Sequence, residues 1–206
     1  MKRVLPILLL CLLLTANQSR AQGTFVMDQY SSLDEYAPSA AGSLIDSMMP
    51  SGTGQSFTPS LSAIDYIRLN LNDPYPNSPT HNNWATLYLT LHANSMFGPV
   101  LGSTTPVFLA NDTASIVPFL FSSTITLNAG TTYYFELVVQ PGSDSWAIYG
   151  AGFGYPGGSV YQAGTPQLVS DLWFQEGIVV PEPTVLCIAL IGAGALGWKR
   201  RLSRKE

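Results

Sequence analysis

Between residues 22 and 180 the groups able to do acid–base work near neutrality are two histidines, His81 and His92, and eleven carboxylates, with Arg68 the single strong base. The acids are Asp28, Asp34, Glu35, Asp46, Asp65, Asp73, Asp112, Glu136, Asp144, Asp171 and Glu176. Hydrolysis by a hydroxyl relay needs a nucleophile on a sharp strand-to-helix turn, beside a histidine that a carboxylate orients. Serines are plentiful, yet no G-x-S-x-G elbow appears. His92 falls on the polar side of an alternating stretch and His81 in an Asn/Pro-rich run, so both read as surface histidines. Glycoside cleavage needs two facing carboxylates, which any fold could assemble, and nothing in the sequence singles out a pair. The expectation is a protein with no catalytic residues.

Metal and cofactor chemistry leave equally faint traces. Asn70, Asn72, Asp73 and Asn77 crowd one segment, and Asp144 and Asp171 flank strand-like runs. Such oxygens suit Ca²⁺, but no D-x-D-x-D-G spacing accompanies them, and Asn and Asp also favour ordinary turns. We therefore expect turn chemistry, no metal site and no cofactor. Gly152-Phe153-Gly154-Tyr155-Pro156-Gly157 fits G-x-G-x-x-G as a string. A dinucleotide loop must open a helix at its third glycine, and here Pro156, Gly158 and an alternating run stand in that place, so turn or bulge glycines are expected. Tyr75, Trp84, Trp146, Tyr149, Tyr155, Tyr161 and Trp173 lie among polar neighbours; rings of this kind either fill a core or stack on sugars.

The elements that would position these groups are strands. Residues 85–93, ATLYLTLHA, put Leu87, Leu89 and Leu91 on one side and Thr86, Tyr88, Thr90 and His92 on the other, a half-buried strand. Residues 63–71 repeat the pattern, with Ile64, Tyr66 and Arg68 opposing Asp65, Ile67 and Leu69. Further strands are expected at 25–30, 55–58, 106–109, 116–121, 124–127, 133–139, 146–149, 159–161 and 172–179. Turn signals at 94–98, 111–112, 128–130 and 141–144 separate them, and 48–54 and 72–83 read as loops. The expected fold is all-β, an antiparallel β-sandwich of jelly-roll type. Eleven acids against one base leave this module at −10. Such a charge repels phosphates and argues against nucleic acid as a partner. Cys11 and Cys187, the only cysteines, lie outside it, so neither disulfides nor thiol chemistry belong to the module.

The two ends are of a different composition. Lys2 and Arg3 precede the apolar run 4–14, and Ser19-Arg20-Ala21 closes with small residues at the positions a signal peptidase reads. This is the layout of a secretory signal peptide, residues 1–21, cut between Ala21 and Gln22. At the other end stands VVPEPTVLCIALIGAGALGWKRRLSRKE. Its uncharged run 184–198 has 15 residues, roughly 22 Å as a helix, against a bilayer core of about 30 Å. It is therefore a short transmembrane helix. Lys199, Arg200 and Arg201 follow at once and act as stop charges on the cytoplasmic side. Pro181 and Pro183 hold the preceding backbone extended, which suits a protease cleft, while Glu182 marks the membrane surface. Ala189, Ala193 and Gly197 form a small-residue stripe for another membrane helix.

Val180-Pro181-Glu182-Pro183, the Gly/Ala-rich apolar helix and the terminal basic cluster together resemble a PEP-CTERM sorting signal, over residues 181–206. The resemblance implies an exported bacterial protein processed near the Pro-Glu-Pro by exosortase, a membrane-embedded protease or transpeptidase. GQSFTP, LNAGTTYYFELVV and GGSVYQAG…DLWF resemble the β-sandwich modules that precede such tails, which have no settled chemistry to carry over. The expected function is that of a non-enzymatic exported protein, delivered by the Sec translocase and signal peptidase. An exosortase then sorts it from a transient inner-membrane anchor to the cell envelope or extracellular matrix. A carbohydrate-binding module acting on exopolysaccharide, with calcium as an aid, is the second reading, and a glycoside hydrolase a distant third.

Overall fold

Period-two patterning resolves, in a computed structural model, into strands alone; no helix occurs among the described residues, which are 23–32, 40–45, 52–81, 84–152, 155–167 and 171–181. In chain order the strands are β1 (Thr24–Tyr30), β2 (Ala40–Ile45), β3 (Gly54–Phe57), β4 (Ala63–Asn72), β5 (Ala85–Ala93), β6 (Val100–Ser103) and β7 (Val107–Leu109). They continue as β8 (Ala114–Thr126), β9 (Tyr133–Val139), β10 (Trp146–Gly152), β11 (Val160–Gln162), β12 (Thr165–Gln167), β13 (Asp171–Leu172) and β14 (Phe174–Val180). Residues 25–179 form one compact unit; of a second, 1–24 with 180–206, only residues 23, 24, 180 and 181 are described.

The strands make two antiparallel sheets. One runs β1-β14-β4-β10-β13, with β2 on β10 and β8 on β4; the other runs β12-β11-β3-β9-β5-β6, with β7 also on β5. Alternate side chains of both meet in one core. Leu87, Leu89 and Leu91 of β5 are fully buried, as the sequence pattern requires, facing Ile67, Leu69, Leu71 and Phe119 of the other sheet's β4 and β8 across a shared cluster. Phe174 of β14 lies 6.4 Å from Phe57 and 5.7 Å from Phe135, rings contributed by the opposite sheet.

The alternation expected across 63–71 is corrected at its start. Ile64 belongs to the core and Asp65 does not. The β4–β8 ladder shifts register between Ile64 and Tyr66. Asp65 turns its carboxylate outward, accepting the Thr124 hydroxyl at 2.6 Å and the Val179 N–H at 2.9 Å. A bulge is the inexpensive way to keep an acid out of the apolar layer while leaving Ile64 in it. Tyr66 lies on the other face beneath Phe25, in an edge-to-face contact of 4.7 Å, and Arg68 rests 4.1 Å above the Phe25 ring. The two runs expected at 116–121 and 124–127 prove to be the one long strand β8. Its Pro118 is tolerated because β8 lies outside β4, where a missing N–H removes no second ladder.

Polar links join the layers. Thr104 fills the gap between β6 and β7 on β5: Leu89 N–H donates to its hydroxyl, and its own N–H donates to Leu89 O, each at 2.9 Å. The same residue bridges Phe121 in the other sheet, making a corner. Buried Gln55 of β3 donates to Asp171 Oδ1 and accepts the Leu172 N–H, both at 3.0 Å, so one amide ties β3 to β13. Asp171 also accepts the Tyr155 N–H at 3.0 Å.

A pair of carboxyls where β1 meets β14 behaves differently. Asp28 accepts the N–H groups of Ser60 and Leu61 at 2.8 Å and the hydroxyl of Ser60. Burial works against its charge, but these donors and the Gln29 amide outweigh it and hold its carboxyl below the usual range. Glu176 is fully enclosed, and neither of its oxygens has a partner in bonding geometry. Burial first, then the charge and proximity of Asp28, push it up to about 9, with the Gln29 backbone pulling modestly the other way. Tyr155 shares this environment; burial pushes its phenol up to about 12, and its oxygen accepts the Thr58 N–H at 2.9 Å.

Two outcomes follow. Leu89→Ala opens the core and is expected to destabilise by about 2–5 kcal/mol. Thr90→Ala, on the opposite face, removes only a shared hydroxyl bond and should cost about 1 kcal/mol. Equal shifts in denaturation midpoint would reverse our facing of β5. Glu176, in turn, keeps a proton in the fold that the unfolded chain releases near the ordinary value of 4.5. The stability present below that pH is lost as pH rises toward about 9, by at most about 1.4 kcal/mol per unit. Glu176→Gln should therefore match the parent near pH 4 and exceed it increasingly from pH 5 to 9. A parent stability curve flat across that window, or a less stable Gln variant at pH 8, would refute the assignment.

Candidate functional site

The exposed rings gather where β5 and β7 begin their pairing. Thr86 of β5 lies opposite Phe108 of β7. Ala85 and Leu109 point into the core, so Trp84 and Phe108 must point away from it, as diagonal cross-strand neighbours. Their rings lie 6.0 Å apart and within 25° of parallel. Phe108 is 63% exposed and Trp84 37%, a large apolar surface for a sheet to leave in water.

Two turns and a loop frame this pair. Asp73 accepts the Tyr75 N–H at 2.8 Å and the Asp112 N–H at 3.0 Å, while its own N–H donates to Thr113 O. Asn77 and Asn111 exchange two further bonds, at 3.0 and 2.8 Å. Asn77 and Asp112 take left-handed conformations, with φ of 60° and 61°, which short polar side chains tolerate best. The loop so pinned brings Tyr75 against His81, the rings stacked at 4.4 Å and 10°. His81 Nδ1 lies 2.9 Å from Asp144 Oδ1, which places its proton on that nitrogen, and the Asp144 N–H donates to Trp84 O at 2.9 Å. Tyr75, His81, Asp144, Trp84 and Phe108 thus form one chain of contacts, with half-exposed Tyr75 at one end and the Trp84–Phe108 pair at the other.

The expected residues scatter otherwise. His92 faces away from the core as its parity requires, but it is no surface histidine: only 6% exposed, it lies under the turn 94–98. Its Nδ1 meets Gly98 O at 3.0 Å, and its Nε2 meets the Thr90 hydroxyl at 2.8 Å and Glu136 Oε2 at 3.3 Å. A relay needs the carboxylate on one ring nitrogen and the hydroxyl on the other. Here both crowd the same nitrogen, and Glu136 also accepts the Gly52 N–H, so the set clamps loops.

Of the residues weighed for calcium, Asn70 and Asn72 lie in β4 and Asp171 in β13, while Asp73 and Asn77 belong to turns. Asp73, Asp144 and Asp171 accept backbone N–H groups, and no group of three metal-ligating His, Cys, Asp or Glu side chains gathers among the described residues. Gly152 ends β10, and a turn at 156–157 leads to strand β11, with no helix to receive a phosphate. Of the seven aromatics, Trp146, Trp173 and Tyr155 are buried, and Tyr75 and Trp84 are exposed. Two groups escaped the sequence reading. Phe108 was hidden inside a short apolar run, where only its parity against Leu109 marks it. Asp28 and Glu176 meet through strands far apart in sequence, and Glu176 is too enclosed to reach a glycosidic oxygen.

Pro181 follows β14 directly. Glu182, Pro183, the run 184–198 where a helix is expected and the charges Lys199, Arg200 and Arg201 lie outside the described residues, as do Ala21 and Gln22. Among the described residues no helix is long and apolar enough to cross a membrane. No curated protein matches the chain. A family model does match its C-terminal stretch: residues 179–205 carry the PEP-CTERM protein-sorting motif.

Proposed function

We propose that this is a non-enzymatic exported protein, carried through the membrane by the Sec translocase, trimmed by signal peptidase between Ala21 and Gln22, and sorted by an exosortase through its tail. The observation that carries the proposal is the sorting motif at 179–205. The strand boundary agrees with it: β14 ends at Val180, itself 44% exposed, so Pro181 is the first residue past the sheet. In this reading the domains are 1–21, 22–180 and 181–206. The helix at 184–198 and the charges Lys199, Arg200 and Arg201 hold the tail while Pro181, Glu182 and Pro183 present an extended segment to the protease. The end point is the cell envelope or the matrix outside it. The chain passes repeatedly between the sheets, as in β3–β4–β5 and β8–β9–β10, which supports a jelly-roll-like sandwich.

A second reading, a carbohydrate-binding module, is favoured by the exposed Trp84–Phe108 pair. Glycoside hydrolysis has no comparable support, since Glu176, the carboxyl beside Asp28, is fully enclosed.

The sorting reading is tested in a host that possesses the sorting protease, by mass and by fractionation of the mature protein. Changing Pro181 and Pro183 together to Ala lets helix propagate through the segment and should leave uncut, membrane-bound protein. Neutralising Lys199, Arg200, Arg201, Arg204 and Lys205 should act differently, letting uncut protein escape outward. Efficient trimming of the double-Ala variant would remove the triplet from the mechanism.

A further inference from the structure

We propose that the end of the sandwich from which β14 leaves, built by the loops 58–62 and 127–132, is a membrane-facing surface that lies against the anionic headgroups of a bilayer while the tail is anchored. The inference rests on the sorting reading above, and it adds which surface meets the membrane and why that surface carries no charge.

Strand register fixes what lies at that end. Gly177 of β14 pairs with Tyr66, so the last residues of β14 run level with the start of β4. Ala63 of β4 pairs in turn with Thr126 at the end of β8. The Leu127 N–H donates to Ser62 O at 2.9 Å and the Gly130 N–H to Pro59 O at 2.8 Å, which ties the two loops together. β1 enters at the same end, since Val26 O and Asp28 N lie against Gly177 while the Ser31 N–H meets Phe174 O. Only Pro181, Glu182 and Pro183 separate β14 from the uncharged run 184–198. Three extended residues reach about 10 Å, close to one Debye length at physiological salt. A tail anchored in lipid thus leaves this end of the fold no room to stand clear of the headgroups.

The composition of that end matches its place. Residues 58–62, TPSLS, and 127–132, LNAGTT, hold no charged side chain, and Ser60, Ser62 and residues 128–132 are exposed. The nearest carboxylates are half-buried and bonded, Asp28 to Ser60 and Leu61, Asp65 to Thr124 and Val179. Glu136, Asp171 and Glu176 are buried. Asp73, Asp112 and Asp144 gather at the opposite end, where Asn72 pairs with Ala114 and Ala147. The 13 residues of β8 span the distance between the two ends, about 40 Å, which is several Debye lengths. With eleven acids against one base in residues 22–180, the domain as a whole is repelled by anionic lipid. Its described acids leave one end clear, and that is the end the tail brings to the bilayer. Hydroxyls and amides there can bond headgroup phosphates and esters without bringing like charge to them.

The test uses the full chain with Cys11→Ala and Cys187→Ala, reconstituted through its tail into vesicles of phosphatidylethanolamine and phosphatidylglycerol. A fluorophore is attached at Ala129→Cys or at Ala114→Cys, exposed positions at opposite ends of the fold. Quenching by lipids that carry a nitroxide on the headgroup is then read. Strong quenching is expected at 129, and about fivefold less or lower still at 114, where the distance exceeds the reach of the quencher. Ser62→Glu with Thr131→Glu should cut the quenching at 129 about twofold or more, and high salt or vesicles of phosphatidylcholine alone should restore it. Circular dichroism and a melting curve matching the parent's secure the fold of each variant, since all these side chains are exposed. The proposal is overturned if 114 is quenched as strongly as 129, if the Glu pair changes nothing on anionic lipid, or if neutral lipid fails to restore the signal. A chain that does not float with the vesicles removes the anchored tail, and this inference with it. A chain that floats while 129 is quenched no more than 114 sinks this inference alone and leaves the sorting reading standing.

Discussion

Phe174 is the point at which the two sheets are held to one another. Its ring contacts Phe57 and Phe135 from the opposite sheet and stands edge-on to Tyr155 at 5.1 Å. Aromatic contacts of this kind add to the stabilisation that burial supplies, and a sheet pair without disulfides depends on such packing. The backbone of the same residue is fixed by Ser31, whose hydroxyl accepts the Phe174 N–H at 2.9 Å and whose N–H donates to Phe174 O at 3.1 Å. The strand that leads into the sorting motif is thus anchored by both its side chain and its main chain. Pulling the tail loads a strand held in the middle of its sheet, between β1 and β4.

Around that apolar centre the buried polar groups divide into those with partners and a few without, which among the described residues are Thr53 Oγ1, Trp146 Nε1 and the Glu176 carboxyl. Gln55 and Asp171 satisfy each other and two backbone N–H groups, so their burial specifies how the sheets are placed at little net expense. His92, Thr90 and Glu136 do the same for the loops folded over the second sheet. Glu176 is the one acid among those without partners, a carboxyl inside the protein kept neutral by its surroundings. It lies two residues from Phe174, so the best-anchored strand also carries the group most sensitive to alkali.

The sequence was most legible where each residue's environment repeats every second position. β5 and β9 have the expected limits because leucines and aromatics alternate without interruption. β2, with AAGSLI, and β6, with VLGS, escaped notice, since small residues and short length leave no period to see. The serines 122–123 stood between two expected runs, but an outer strand accommodates them, as it does Pro118, so two runs were one. Asp65 shifted the face of Ile64 through a bulge set by its remote partners Thr124 and Val179. The burial of His92 likewise depends on loops that close over it from elsewhere in the chain. Local chemistry writes strands and sorting tails; contacts distant in sequence decide which outward face is covered.

That last distinction is why the ring site emerges only in three dimensions. Both outward-facing histidines obey the same parity rule or loop placement, yet one is roofed over and clamped while the other is stacked beside exposed rings. Trp146 and Trp84 have similar polar neighbours in sequence, and one is wholly enclosed while the other is 37% exposed. What separates them is the loop 73–81, pinned by Asp73, Asn77 and their partners so that it stands beside the rings and leaves Trp84 and Phe108 exposed. An exposed Trp–Phe pair gives up the burial energy that two large rings would supply in a core. The turn chemistry of the loop 73–81 thus orders an exposed surface rather than adding to the core.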